Sequence, residues 1–112
     1  WLRFDVDAAK RIVAAAPREL VPLDVPTLAG WLGPPPGRRI PGRLTMRGVL
    51  VDWQEADRDD VDLAVPIITA QLRDSAIPID GWRRIAKATL RGVPELAQVL
   101  LTRAETVEVM GG

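Results

Sequence analysis

Residues 79–88 read Ile79-Asp80-Gly81-Trp82-Arg83-Arg84-Ile85-Ala86-Lys87-Ala88, and this stretch decides the fold. The apolar residue before Asp80 ends a predicted strand, and the residues after Gly81 predict a helix. Asp80 belongs to the residue types that cap helix N-termini, and Gly81 lets the backbone approach a ligand closely. Because the first N–H groups of a helix have no partner inside it, this turn predicts an anion site.

The predicted helix has two chemically different faces. At 100° per residue, the first face carries Trp82, Ile85, Ala86 and Thr89, and the second carries Arg83, Arg84, Lys87 and Arg91. We expect the first face to pack and the second to reach phosphate groups. Two alternatives stay open: the cations could simply be solvated, and Trp82 could stack on a base, although its place on the apolar face favours the core.

The composition excludes several kinds of chemistry. The 112 residues include 15 basic and 15 acidic side chains but no histidine and no cysteine. Disulfides, thiol nucleophiles, zinc sites and the commonest general base are therefore excluded. A formal net charge of zero argues against strong nonspecific DNA binding. No apolar run approaches the roughly 20 residues of a membrane span, so we expect a cytoplasmic protein with no membrane partner.

The length suits one domain, and residues 1–112 are predicted to form a single α+β domain, a small mixed sheet with packed helices. Asp7 is the predicted cap of a helix over residues 8–16 that ends before Pro17. This helix belongs to an N-terminal helical addition at residues 1–19.

Further elements follow from apolar runs and turn residues. Strands are predicted at residues 20–25 on a sheet edge, within the segment 43–53 where an apolar run favours a strand that ends at Asp52 and a helix is the competing interpretation, at 63–70, at 76–79 and at 96–101. Residues 26–32 predict one or two helical turns, and the proline-rich residues 33–42 predict a loop. Gly92 is the predicted end of the arginine-bearing helix, and Thr102 and Glu105 have the spacing of a capping box.

In this order the pieces resemble the ParB/sulfiredoxin-like superfamily, mainly over residues 63–108. The matching features are Pro66-Ile67-Ile68, a hairpin, residues 79–88, Arg91-Gly92-Val93, and an apolar strand that leads through Leu101-Thr102 to Glu105. Members of that superfamily bind nucleotide phosphates with glycine turns of the forms G-E-R-R, G-C-H-R or D-G-H-x-R. The resemblance implies a nucleotide phosphate site for ATP or CTP, formed by Asp80, Gly81, Trp82, Arg83 and Arg84.

Departures from the family pattern reduce the number of activities that the resemblance allows. Trp82 stands where sulfiredoxins carry their catalytic cysteine and where partition-type ParB proteins carry a glutamate, so sulfiredoxin chemistry is excluded. Free-serine kinases of the superfamily use a D-G-H-T-R turn, of which this chain keeps the aspartate, the glycine and the last arginine. Kinase activity is therefore in doubt.

Carboxylates are the remaining candidates for catalysis and metal binding. Asp52 and Glu55 flank the end of a predicted strand and are the first candidates for a general base. A polar segment carries Asp57, Asp59, Asp60 and Asp62. These residues either bind Mg²⁺ beside a triphosphate or form a solvated loop, and the loop is favoured because their spacing does not match an EF-hand.

Taken together, the residues and the resemblance favour a nucleotide (phosphate)-binding ParB-like domain, and nucleotide hydrolysis or phosphoryl transfer is left open as its activity. One alternative is a DNA-associated, partition-like regulatory protein with DNA as a partner. Another is a non-catalytic interaction module with a protein partner. The sequence does not predict the oligomeric state.

Overall fold

The computed structural model describes residues 3–30 and 56–110. The strands of this part are β1 (Val21–Asp24), β2 (Ile67–Gln71), β3 (Ala76–Asp80) and β4 (Glu95–Leu100), and the helices are α1 (Val6–Ala14), α2 (Val25–Ala29), α3 (Trp82–Arg91) and α4 (Arg103–Val109). The sheet order is β1-β4-β2-β3, with a parallel central pair and antiparallel outer pairs. This mixed sheet with packed helices confirms the predicted α+β class.

Consecutive residues of β2 serve two separate parts of the core, because side chains alternate between the faces of a strand. Ile67 packs in a cluster with Leu23, Ile85 and Leu96 on the face that α2 and α3 cover. Ile68 packs in a second cluster, with Ala9, Leu101 and Val109, on the face that α1 and α4 cover. The sheet therefore has helices on both faces.

Helix α1 begins earlier than predicted. Its N-cap is Asp5, whose carboxylate accepts a hydrogen bond of 2.9 Å from the Ala8 N–H. The predicted cap, Asp7, instead lies in the first turn, where a negative charge is favourable beside the helix dipole. Ala9 is fully buried and α1 packs against α4, so this helix contributes to the core.

Several local predictions are confirmed. β1 lies at an edge of the sheet that residues 3–30 and 56–110 form, Gly92 ends α3 in the left-handed conformation, and both hydrogen bonds of the Thr102–Glu105 capping box are present. β2 begins at Ile67 rather than at residue 63, because residues 62–65 form a turn closed by a hydrogen bond from Val65 N to Asp62 O. The predictions for residues 31–55 lie outside the described residues.

An ion pair ties α4 to the segment that follows α1. Both guanidinium Nη atoms of Arg18 bind the two carboxylate oxygens of Glu105, and each side chain is 20% exposed. The hydrogen bond from Arg18, together with those from Thr102, lowers the pKa of Glu105 from 4.5 to about 2 against the opposing effect of burial. Glu105 thus links the capping box to the chain beyond α1.

This lowered pKa predicts acid sensitivity. A carboxylate with a depressed pKa stabilises the fold above its unfolded-state pKa, and that stabilisation is lost as the pH falls from about 5 to about 2. Arg18→Met is expected to cost about 1 kcal/mol at pH 7, since the pair is partly exposed. The variant should also lose less stability than the wild type between pH 5 and pH 2. Urea unfolding across this range tests both expectations.

Arg11→Met is the matched control, because Arg11 is an exposed arginine on α1. It is expected to leave the pH profile of the wild type unchanged. Identical profiles for Arg18→Met and the wild type would contradict the effect of Arg18 on the pKa of Glu105.

Candidate functional site

The turn between β3 and α3 is built around one glycine. Gly81 is the N-cap of α3 and has a φ of 114° and a ψ of 14°, and no side chain makes a capping hydrogen bond there. The expectation that Asp80 caps this helix is therefore wrong. Asp80 is the last residue of β3, and its carboxylate binds the Arg84 guanidinium instead.

Packing within the chain demands a glycine at position 81. A Cβ atom on Gly81 would lie 2.4 Å from Cδ1 of Ile67 and 3.2 Å from Cζ of Arg84. Ile67 is fully buried, and the positive φ is one that side chains of L-residues rarely adopt. The sequence predicts that a ligand comes close to the backbone of Gly81, whereas the side chains of Ile67 and Arg84 occupy the space beside its Cα atom.

The guanidinium of Arg84 donates three hydrogen bonds to other residues of the chain. Its Nη1 donates to the carbonyl oxygens of Val65 and Pro66 at 2.7 and 2.5 Å, and its Nη2 donates to Oδ2 of Asp80 at 2.9 Å. The side chain is 12% exposed. Arg84 therefore joins the entry to β2, the end of β3 and the first turn of α3.

Two further cations of α3 hold the segment before β2. Lys87 Nζ donates to the carbonyl oxygens of Arg58 and Val61 at 2.7 and 2.8 Å, and Arg91 Nε donates to Oδ1 of Asp57 at 2.9 Å. We call Arg84, Lys87 and Arg91 the cation clamp, because they bind residues 57–66 along one side of α3. The expectation that this face reaches phosphate is wrong for Lys87, which is 9% exposed.

The burial of Lys87 has a physical reason that the sequence only partly reveals. Its neighbours Ile85, Ala86 and Ala88 are fully buried, so a lysine at this position must find partners away from water. An ammonium group has three donors, and two of them meet carbonyl oxygens here. The position of Lys87 within an apolar run is the feature of the sequence that indicates its burial. Its hydrogen-bond partners could not be predicted from local patterns.

Arg83 is the cation of the turn that stays available. Its side chain is exposed, and within residues 3–30 and 56–110 it makes no hydrogen bond or ion pair. The first backbone hydrogen bond of α3 runs from Ile85 N to Gly81 O, so the N–H groups of Trp82, Arg83 and Arg84 precede the helical hydrogen bonds. Three backbone donors and one exposed guanidinium therefore lie in the same helical turn.

Both the ring and the indole nitrogen of Trp82 contact other residues of the chain. The ring is partly buried against the core cluster that contains Ile67 and Ile85, as its position on the apolar face predicts. The indole Nε1 donates to the carbonyl oxygen of Pro78 at 2.8 Å. Stacking of Trp82 on a nucleotide base stays a prediction.

The acidic segment has internal partners of its own. Asp57 binds Arg91, Asp60 lies 3.6 Å from the Arg58 guanidinium, and Oδ1 of Asp62 accepts from the Ala64 N–H at 2.9 Å. Residues 57–60 line a shallow surface depression. No group of three acidic side chains that could hold a metal ion occurs in the described part of the chain. Asp52 and Glu55 lie outside the described residues.

No protein-family model, curated protein or solved structure matches this chain. None of the helices that the structure describes is long and apolar enough to cross a membrane.

Proposed function

We propose that this chain is a nucleotide-phosphate-binding domain of ParB/sulfiredoxin-like type, and that the first turn of α3 binds the phosphate. One observation carries the proposal: the exposed Arg83 lies beside backbone N–H groups that no side chain caps. Helix N-termini favour anions, and a guanidinium matches the geometry of phosphate oxygens. ATP or CTP is the proposed ligand because of the resemblance.

Within this proposal the two neighbouring arginines have different tasks. Arg83 contacts the phosphate, whereas Arg84 is a positioning residue, because its guanidinium is engaged by Asp80, Val65 and Pro66. Gly81 and Asp80 shape the turn, and Trp82 supplies a backbone N–H group. This division of tasks sharpens the sequence expectation, in which both arginines were phosphate contacts.

The described residues do not define a catalytic machinery. They hold no cluster of acidic side chains that fits Mg²⁺, so no step is assigned to a metal bound by these residues. Any hydrolysis or phosphoryl transfer would depend on charge neutralisation and positioning of the phosphates. Binding is therefore the function that we propose, with no particular reaction attached.

Thermal unfolding with ATP, CTP, GTP or UTP, each with and without Mg²⁺, tests the proposal. A ligand at ten times its Kd adds about 1.4 kcal/mol, which raises the Tm of a domain of this size by about 5 °C. We expect Arg83→Gln to reduce this shift strongly. Arg11→Gln is the matched control, since Arg11 is exposed and lies on α1, and it should keep the full shift.

The absence of a shift with all four triphosphates at millimolar concentration would overturn the proposal. A shift that survives Arg83→Gln unchanged would place the ligand elsewhere on the chain. Arg84→Ala is a poor probe for this question, because it removes hydrogen bonds that the fold needs and lowers the Tm without ligand.

The cation clamp favours one competing function, a non-catalytic module that binds a protein partner. Three of the four cations on the predicted phosphate-facing side of α3 are used within the fold. The same observation weakens the DNA-binding alternative, because these cations are not offered to a phosphate backbone. A stable complex with a protein, together with no effect of nucleotides, would favour the interaction module.

A further inference from the structure

Both outer strands of the described sheet contain a proline. β1 lies at one edge and contains Pro22, and β3 lies at the other edge and contains Pro78. Proline has no N–H group, so within sheets it occupies positions where the missing donor faces away from the neighbouring strand. Each outer edge therefore lacks one backbone donor in the described part of the chain.

The carbonyl oxygens of these two prolines are also engaged. Trp82 Nε1 donates to Pro78 O at 2.8 Å, and Gln98 Nε2 donates to Pro22 O at 3.1 Å. In an antiparallel strand the N–H and C=O of one residue face the same side. Without Trp82, the Pro78 carbonyl oxygen could accept a hydrogen bond from an incoming strand. The indole N–H of Trp82 makes that hydrogen bond instead.

Burial at the centre of β3 agrees with this arrangement. Pro78 is buried, whereas the other four residues of β3 are partly or fully exposed. In an edge strand of five residues, about two residues near the centre have N–H and C=O groups that face outwards and can bond to an incoming strand. Position 78 is closed both as a donor and as an acceptor.

We infer that Trp82 and Pro78 together close the outer edge that β3 forms in the described sheet, so that it does not pair with a second copy of this chain. Exposed strand edges are templates for pairing with other chains, and proteins protect them by prolines and by covering side chains. Here the covering side chain comes from the first residue of α3, so the turn that starts the helix also protects the sheet. The inference does not depend on phosphate binding, because substitution of the Trp82 side chain keeps its backbone N–H.

The test compares the mass of the full chain as a function of concentration in Trp82→Phe, Pro78→Val and the double variant. Trp82→Phe removes the indole donor and keeps an aromatic ring, and Pro78→Val restores the backbone N–H. We expect the weight-average mass of the double variant to rise by about twofold or more over that of the wild type. Pro17→Val is the matched control, since Pro17 is exposed and lies outside the strands, and it should behave as the wild type.

A double variant that has the wild-type circular dichroism spectrum and the wild-type mass at every concentration overturns the inference. An equal rise in Pro17→Val overturns it as well, because added valine would then explain the association. If the double variant does not fold, Trp82→Phe alone is mixed with a labelled peptide of residues 74–82 carrying Val at position 78. Fluorescence anisotropy should show binding to Trp82→Phe and none to the wild type, and equal signals contradict the inference.

Discussion

Gly81→Ala is expected to lower the free energy of unfolding by about 3 kcal/mol or more, because two costs add. The backbone at a φ of 114° costs a residue with a Cβ atom about 1–3 kcal/mol. The new Cβ atom would also lie 2.4 Å from Cδ1 of the buried Ile67, and such overpacking costs about 1–3 kcal/mol. Urea unfolding followed by circular dichroism measures the sum.

The chain contains a matched control for each of the two costs. Gly92 has a φ of 70° and no atom within 4 Å of a built Cβ, so Gly92→Ala should cost only about 1 kcal/mol. Ile67→Val removes the atom that clashes with the Cβ, so it should cost less in a Gly81→Ala background than in the wild type. Equal losses for Gly81→Ala and Gly92→Ala would mean that Ile67 gives way at no cost.

Lys87→Met is expected to be the second large loss, of about 2–3 kcal/mol. The substitution keeps the length of the side chain and leaves the carbonyl oxygens of Arg58 and Val61 without the charged donor. Lys10→Met is the control, because Lys10 is an exposed lysine on α1, and it should stay within about 0.5 kcal/mol of the wild type. Denaturant unfolding of the three proteins measures these losses.

The same variant should loosen the segment that the cation clamp holds. Hydrogen exchange of the Val61 and Val65 amides, which are bonded to Arg58 O and Asp62 O, is expected to speed up in Lys87→Met. In the wild type, acylation followed by mass spectrometry should modify Lys10 and spare Lys87, as these are the only two lysines. Equal labelling of both lysines would contradict the buried position of Lys87.

Signals that act within a few residues were readable from the sequence. The end of α3 at Gly92, the Thr102–Glu105 capping box and the strand that follows Pro66 each depend on neighbours in the chain. The α+β class followed from the order of these elements. The local rule for N-caps predicts Asp7 as the cap of α1, whereas the cap is Asp5, because two aspartates two residues apart satisfy the same rule.

The candidate site was less predictable, because its contacts join distant parts of the chain. A helical wheel groups Arg84, Lys87 and Arg91 correctly on one side of α3, but it does not reveal what that side faces. Their partners lie at residues 57–66 and at Asp80, and tertiary packing brings them there. Arg83, one position from Arg84, differs from it only in direction, and this difference decides which of the two remains exposed.

The bonding of Arg84 changes how its sequence signature should be used to search for relatives. Aspartate, glycine and arginine at the spacing of Asp80, Gly81 and Arg84 are each explained here by contacts inside the chain. In this chain the signature therefore reflects the way in which the hairpin joins the helix. If the proposed function holds, ligand preference is better sought at the position of Arg83, whose side chain makes no hydrogen bond or ion pair within residues 3–30 and 56–110.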